Sequence, residues 1–381
     1  MKLGLLIDSL QRPLGGLERH TLALLRRAHQ EEEDVAIATL VGGVDRGLLP
    51  EGVTVHEVSA PKTRPERDQA LAEQGAALLR EQGRRILALR HALDCDVYLP
   101  HGGLVDDARA AKDRAVGGPS RWTRIARAFS RRHAFFLEAE AALLGTREGP
   151  RVIAVSNTLA ARIKQVYPAA APRVRVVING VDEQYFERSV HRDRGQALRA
   201  QHVPAGALAV LLMAHNLRLK GVETAIRALA RPEVMGLDMP VHLLIAGARL
   251  DRKARALARS LGIAGQVHEL GGHADPRPVY AAADLLVHPT WYDPCSLVCL
   301  EALAMELPVI TTPVNGVRDV MGMRGGIVVE APGNPEYVAV AIRVLSDAAL
   351  RVVTADDARY LALRNRETTR LDAILDIWRS G

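Results

Sequence analysis

The stretch Tyr292-Asp293-Pro294-Cys295-Ser296-Leu297-Val298-Cys299-Leu300-Glu301, which runs on through Met305 and Pro308 to Asn315-Gly316, decides how this chain is read. An apolar run ending in His288-Pro289 precedes it, and a second, Pro308 to Thr311, follows the helical spacing between them. Strand, helix and strand packed into so few residues make a parallel α/β unit. Two acids, Asp293 and Glu301, stand with seven residues between them around the point where that helix begins. A helix starting near Pro294 or Cys295 leaves the N–H groups around Ser296, Leu297 and Val298 without intrahelical partners, with the positive end of the helix dipole behind them. Such a terminus suits a diphosphate. Glu301, two turns in, is placed to accept hydrogen bonds from ribose hydroxyls, and Asp293 to face whatever the diphosphate carries. A plainer reading stands beside this one, with Asp293 as a helix cap and Glu301 as a solvated helix residue.

The same alternation extends outward in both directions. One series of short apolar runs comprises 2–7, 35–40, 53–58, 96–99, 151–155 and 174–178; a second comprises 209–213, 241–245, 284–288, 308–311 and 326–329. Between them lie the turn Asn179-Gly180-Val181-Asp182 and the strongly charged stretch 187–202. A chain of 381 residues is long for one core and comfortable for two. The expected fold is therefore α/β with two Rossmann-like domains, 1–180 and 181–364. Leu17, Thr21, Leu24 and Ala28 share one helical stripe, Val222, Ile226 and Leu229 another, and 368–378 reads as a final amphipathic helix.

Composition narrows the class. About half the residues are apolar and a quarter charged, as in ordinary globular proteins. The formal charge of +6 favours anionic partners. Basic and aromatic residues crowd between positions 109 and 151, among them Arg121, Trp122, Arg124, Arg127, Phe129, Arg131, Arg132, Phe135 and Phe136. That region contains no nucleic-acid-binding module. Three cysteines without framework spacing argue against a disulfide-built secreted domain. No signal-like or membrane-spanning run is present, so a cytoplasmic location is expected.

Further candidates lie at other strand ends, where open parallel sheets bind ligands. Asn216, Arg218 and Lys220 follow the strand ending at Met213, and the two cations suit a diphosphate. Gly15 and Gly16, in Leu14-Gly15-Gly16-Leu17, open a helix after the first strand and let backbone approach a ligand closely. They lack the GxGxxG spacing of hydride-transferring dinucleotide enzymes. His101 follows the strand 96–99. Cys295 and Cys299 lack a third and fourth ligand nearby, so no metal is expected, and Walker loops, nucleophile elbows and zinc-protease motifs are missing.

Taken together, five segments resemble the retaining glycosyltransferases of family 4, with the GT-B fold, and among them the enzymes that build lipopolysaccharide cores. They are LGGLERH (14–20), RRHAFFLEAEAAL (131–143), VIAVSNTLAARIKQVYP with VRVVINGVDEQYF (152–168 and 174–186), HNLRLKGVETAIRAL (215–229), and the long segment 283–312. The resemblance implies two facing domains with a cleft between them, the final helix, about 365–381, crossing back to the N-terminal acceptor domain. It implies a nucleotide diphosphate sugar, a UDP-sugar above all, as co-substrate rather than a cofactor, and a glycan or lipid-linked acceptor. Lys220 is expected on the donor phosphates, Glu301 on the ribose, Asp293 by the sugar, His101 on the sugar and acceptor side, and Gly15 and Gly16 near the diphosphate. Three positions depart from the family pattern: an aspartate, Asp293, stands for the first glutamate, Ser296 for a glycine, and His215 for the commonest phosphate-binding arginine. Arg218 is the nearby replacement for that missing cation. The basic stretch 109–151 is expected to touch an anionic membrane at its inner face. Two other functions share the fold expectation: a non-catalytic nucleotide-sugar-binding scaffold, and a nucleotide-sugar epimerase or hydrolase.

Overall fold

A computed structural model describes residues 1–12, 15–59, 61–118 and 130–380. Its contacts divide the chain into two compact units. The first holds the described residues of Met1–Arg109, Pro119–Ile178 and Thr368–Gly381; the second holds Ala110–Gly118 and Asn179–Glu367.

The first unit is built on seven strands: β1 (Lys2–Leu6), β2 (Asp34–Leu40), β3 (Thr54–Val58), β4 (Arg85–Ala88), β5 (Val97–Tyr98), β6 (Arg151–Ala154) and β7 (Val174–Val176). They form one sheet in the order β3-β2-β1-β4-β5-β6-β7, parallel throughout. Leu3, Leu5, Ile37, Ile86 and Leu87 are fully buried, as expected of strands covered on both faces. The final helix, Glu367–Ser380, packs into this unit. Trp378 is completely buried and donates its indole N–H to the Arg85 carbonyl at 2.8 Å, while Arg27 pairs with Asp372 at 2.6 Å.

The second unit has six strands: β8 (Leu208–Ala214), β9 (Val241–Gly247), β10 (Val267–Gly271), β11 (Leu285–His288), β12 (Val309–Thr311) and β13 (Gly326–Val328). Their order is β10-β9-β8-β11-β12-β13, again all parallel. Val210, Leu212, Leu243, Ile245, Leu285 and Val287 fill its core with Val222, Ile226 and Leu229 from helix Val222–Leu229. That helix buries the stripe its sequence spacing announced, and helix Gly16–Gln30 buries Thr21, Leu24 and Ala28 of its stripe while Leu17 is only half-buried.

Two strands are additional to the sequence reading. β4 has only four residues, and the basic residues Arg84, Arg85 and Arg90 around it hide a central position in the sheet. Arg84 is itself buried, its guanidinium held by Asp34 at 2.9 Å. β10 is a sheet edge with a polar sequence, Val-His-Glu-Leu-Gly, and no fully buried residue.

In both sheets the strand order reverses once, between β1 and β4 and between β8 and β11. Loops leaving the carboxyl ends of such neighbours turn to opposite faces and open a crevice. In the second unit those loops are 215–221 and 289–296, the segments that carry Lys220 and Asp293.

Candidate functional site

The loop after β8 is a tight turn. Asn216 accepts from the Leu219 N–H through Oδ1 at 3.2 Å and from the Lys220 N–H through its carbonyl at 3.1 Å. Gly221 closes the turn with φ +79°, and a Cβ there would lie 2.2 Å from the Pro289 carbonyl oxygen. Only glycine allows both that conformation and that approach. The two loops are then stapled through Leu219, whose carbonyl accepts from the Trp291 N–H at 2.9 Å and the Thr290 hydroxyl at 3.2 Å. As a result the Lys220 ammonium reaches Asp293 Oδ2 at 2.6 Å and the Tyr292 carbonyl at 3.2 Å.

This lysine–carboxylate pair is largely enclosed, with side-chain exposures of 18% and 13%. Burial by itself would raise the Asp293 carboxyl, but the Lys220 charge and the neighbouring His288 override it and hold the group well below the usual carboxylate range. Asp293 is therefore an anion at neutral pH. His288, at the end of β11, is fully enclosed, and its Nε2 lies 3.6 Å from Asp293 Oδ2 and 3.4 Å from the Ser296 hydroxyl. Burial lowers the His288 pKa more than Asp293 raises it, so the ring is neutral.

The next helix is Leu297–Ala304, two or three residues later than the sequence suggested, with Ser296 as its cap accepting from the Cys299 N–H at 3.4 Å. Asp293 does not cap it. The Ser296 N–H, expected to be unpaired, donates to Asn315 Oδ1 at 3.2 Å. Asn315 is completely buried and also accepts from the Val317 N–H and donates to Thr311 Oγ1 at 3.0 Å, so it ties the helix start to the loop after β12. Leu297 and Val298 occupy the first two helical positions, where an N–H has no carbonyl one turn back to meet. Glu301 is not solvated: it is 4% exposed and accepts from the Tyr280 hydroxyl at 2.6 Å. Tyr280 and Asn315 escaped the sequence reading because their partners Glu301 and Ser296 lie about twenty residues away, whereas the partners of His288, Asp293 and Ser296, are near it in sequence and only the fold of the loop after β11 brings them onto its ring.

Arg218 points elsewhere. Its guanidinium is bound to Asp251 Oδ2, with Nε and Nη2 both at 2.6 Å. Asp251 also caps helix Arg252–Ser260, its Oδ1 accepting from the Ala254 N–H at 2.8 Å. The pair lines a cavity of about 380 Å³ at the carboxyl ends of β8 and β9, together with His215, Asn216 and Arg249. Asp251 and Arg249 were not singled out in the sequence.

The first unit carries the other sequence candidates. Gly16 is the first residue of helix Gly16–Gln30 and Gly15 its cap, so both stand where the β1 loop enters the helix; Leu14 lies outside the described residues. His101 follows β5 and lines a small pocket with His20 and Thr21 of that helix and Arg370 of the final helix. Arg370 is bonded to His20 Nδ1 at 3.0 Å. Of the basic stretch 109–151, residues 119–129, including Arg121, Trp122, Arg124, Arg127 and Phe129, lie outside the described residues. Arg132 is engaged within the unit, paired with Asp68 at 2.5 Å and set over the Phe136 ring at 5.1 Å. Among the described residues no group of three or more histidine, cysteine or acidic side chains is arranged to hold a metal, and no helix is long and apolar enough to cross a membrane. Cys295 and Cys299 are buried neutral thiols, the latter pushed up to about 12 chiefly by burial.

Parallel Rossmann-type sheets of this kind, twice in one chain, are the architecture of GT-B glycosyltransferases. The crystal structure of WaaG, a glycosyltransferase involved in lipopolysaccharide biosynthesis, matches all of this chain over all of its own with a TM-score of 0.81 at 22% identity. Anabaena HepE in complex with UDP and glucose matches, again over all of both chains, with a TM-score of 0.73 at 19% identity. Two family models fit the sequence: Glycosyltransferase Family 4 over residues 14–185, and Glycosyl transferases group 1 over residues 208–347. The chain belongs to glycosyltransferase family 4. The lipopolysaccharide glucosyltransferase WaaG of Escherichia coli K12 is 28% identical over 241 residues, which is 61% of this chain and 62% of that protein. A D-inositol 3-phosphate glycosyltransferase of Corynebacterium urealyticum is 28% identical over 233 residues, 58% of this chain and 54% of that protein. The matched region thus spans less than two thirds of either relative.

Proposed function

We propose that the chain is a retaining, metal-independent glycosyltransferase that moves a sugar from a UDP-sugar to a hydroxyl of a glycan or glycolipid acceptor, in the synthesis of lipopolysaccharide or another cell-surface polysaccharide. The observation that carries this reading is the enclosed Lys220–Asp293 pair at the switch point of the second sheet, beside the start of helix Leu297–Ala304. A diphosphate seated there takes the Leu297 and Val298 N–H groups and draws the Lys220 ammonium toward its oxygens. Asp293, already ionised, accepts from the sugar hydroxyls, and Glu301 from the ribose. As the bond between the anomeric carbon and the phosphate oxygen breaks, Lys220 and the helix N–H groups offset the growing charge without a metal. The acceptor oxygen bonds to the same face of that carbon, its proton passing to the departing phosphate oxygen, which retains the anomeric configuration.

The HepE structure, which holds UDP and glucose on the same fold, supports the choice of donor, and the lipopolysaccharide assignment of WaaG supports the choice of pathway. In this reading Gly15 and Gly16 approach the diphosphate, His101 serves the sugar and acceptor side, and Asn216 shapes the turn that carries Lys220. The enzyme works in the cytoplasm, with the basic stretch 109–151 against anionic lipid. The test is product analysis with a UDP-sugar panel and a bacterial lipid extract as acceptor. A glycosylated lipid carrying the donor's anomeric configuration by NMR supports the proposal. An inverted product overturns retention; donor consumption without acceptor modification favours a hydrolase.

A further inference from the structure

We propose that Asp251 is a built-in competitor for Arg218, and that it thereby sets how tightly the turn Asn216–Gly221 takes the diphosphate of a nucleotide donor. The inference rests on the donor site proposed above and assigns a specific role to a residue outside its deciding motif.

Arg218 and Lys220 stand two residues apart on one tight turn, yet they are engaged differently. Lys220 faces Asp293 at 2.6 Å, whereas Arg218 is held by Asp251 at 2.6 Å. Asp251 is a fixed acceptor, because its other oxygen caps helix Arg252–Ser260 through the Ala254 N–H at 2.8 Å. That cap, together with Arg218, lowers its pKa, so its negative charge persists across the neutral range. Among the described residues it is the one carboxylate lining the cavity of about 380 Å³, whose other charged walls are the cations Arg218 and Arg249 beside His215. An anion bound at the turn that carries Lys220 therefore has, two residues away, a second cation, the Arg218 guanidinium, that is already committed to a carboxylate.

The commitment is weak enough to exchange. Arg218 and Asp251 are 42% and 40% exposed, and an ion pair so open to water contributes roughly a few-fold to any equilibrium it enters. A diphosphate carries more charge than a carboxylate and offers the guanidinium paired oxygens. Arg218 can then swing from the cap to the phosphate, and the affinity for the donor is lowered by whatever Asp251 contributes to holding it back. The carboxylate sets the strength of that restraint.

Asp251→Asn tests this cleanly, because asparagine caps a helix as well as aspartate does while carrying no charge; Asp251→Ser is a second neutral cap that guards against a folding artefact. UDP and uridine are titrated calorimetrically into wild type, both variants, Arg218→Gln, and Arg218→Gln/Asp251→Asn. The expected result is UDP binding about three- to fivefold tighter in Asp251→Asn and Asp251→Ser, with uridine unchanged. In the Arg218→Gln background that gain disappears. A gain that persists without Arg218, or that extends to uridine, would overturn the proposal by showing a general field effect. Wild type that binds UDP with an affinity Asp251→Asn leaves unchanged overturns it too and spares the donor-site reading. Failure of every protein to bind UDP removes both.

Discussion

Lys220→Met removes the ammonium that neutralises Asp293 while keeping most of the side chain's length. The carboxylate is then left almost enclosed, at 13% exposure, with only the neutral His288 ring beside it. Breaking a buried ion pair from one side costs about 3–5 kcal/mol, and the residual exposure of this pair argues for the lower end, about 3 kcal/mol. With a urea slope of about 2 kcal/mol per molar, the transition of the second unit should move down by about 1.5 M. The pH dependence identifies the cause. In wild type the Asp293 pKa is depressed, so its contribution is present above the ordinary carboxylate value and is lost only as pH falls through the lower, folded-state value. In Lys220→Met burial acts without that counter-charge and raises the carboxyl, so the folded variant takes up a proton before the unfolded chain does. The stability deficit should therefore be full at pH 7 and shrink by pH 4.5. Urea unfolding followed by circular dichroism at both pH values measures this, with Lys220→Met/Asp293→Asn expected to recover part of the loss. A deficit that is unchanged between pH 7 and pH 4.5 would refute the assignment of the pair.

Two further outcomes follow from the geometry. Gly221→Ala places a Cβ 2.2 Å from the Pro289 carbonyl at a φ of +79°, so the turn must shift; we expect a loss of about 2–4 kcal/mol and, with it, of UDP binding, and retention of both by the variant would contradict the role given to this glycine. His242 and His268 stack at 5.1 Å with Nδ1 and Nε2 2.9 Å apart, beside His202, and burial lowers both their pKa values, so the folded state holds fewer protons than the unfolded one. Stability from this pair is present above about pH 6.5 and lost as pH falls toward the folded-state values, by up to about 1.4 kcal/mol per pH unit for each ring. His242→Phe should flatten the decline in urea midpoint between pH 7 and pH 5.5, and an identical slope in variant and wild type would sink the explanation.

The class of fold was legible because parallel strands buried on both faces leave short continuous apolar runs, and eleven such runs stand out in the chain. β4 escaped because its four residues follow Arg84, whose burial depends on a partner fifty positions away, Asp34. β10 escaped because an edge strand need not be apolar. In the candidate site, the residue types and their strand-end positions could be read, but the contacts could not. Nothing in the spacing says that Lys220 and Asp293 would meet, since their pairing depends on Gly221 fitting against Pro289 and on Leu219 bonding to Thr290 and Trp291. The helix was expected to begin near Pro294 or Cys295, yet Asn315, reaching in from the loop after β12, takes the Ser296 N–H, and of the three expected N–H groups Leu297 and Val298 remain at the helix start. For Arg218, expected on a phosphate by type and place, the spacing does not announce its pairing with Asp251, a helix cap that only the folded chain brings near.

The most direct test of the whole account is a calorimetric titration of UDP into wild type and Glu301→Gln, a substitution that keeps the side chain's bulk and an acceptor for Tyr280. Wild type is expected to bind UDP, and Glu301→Gln, whose neutral amide is a weaker acceptor for ribose hydroxyls, to bind it about tenfold or more weakly. Equal affinity in the two proteins, or no UDP binding by wild type, would contradict it.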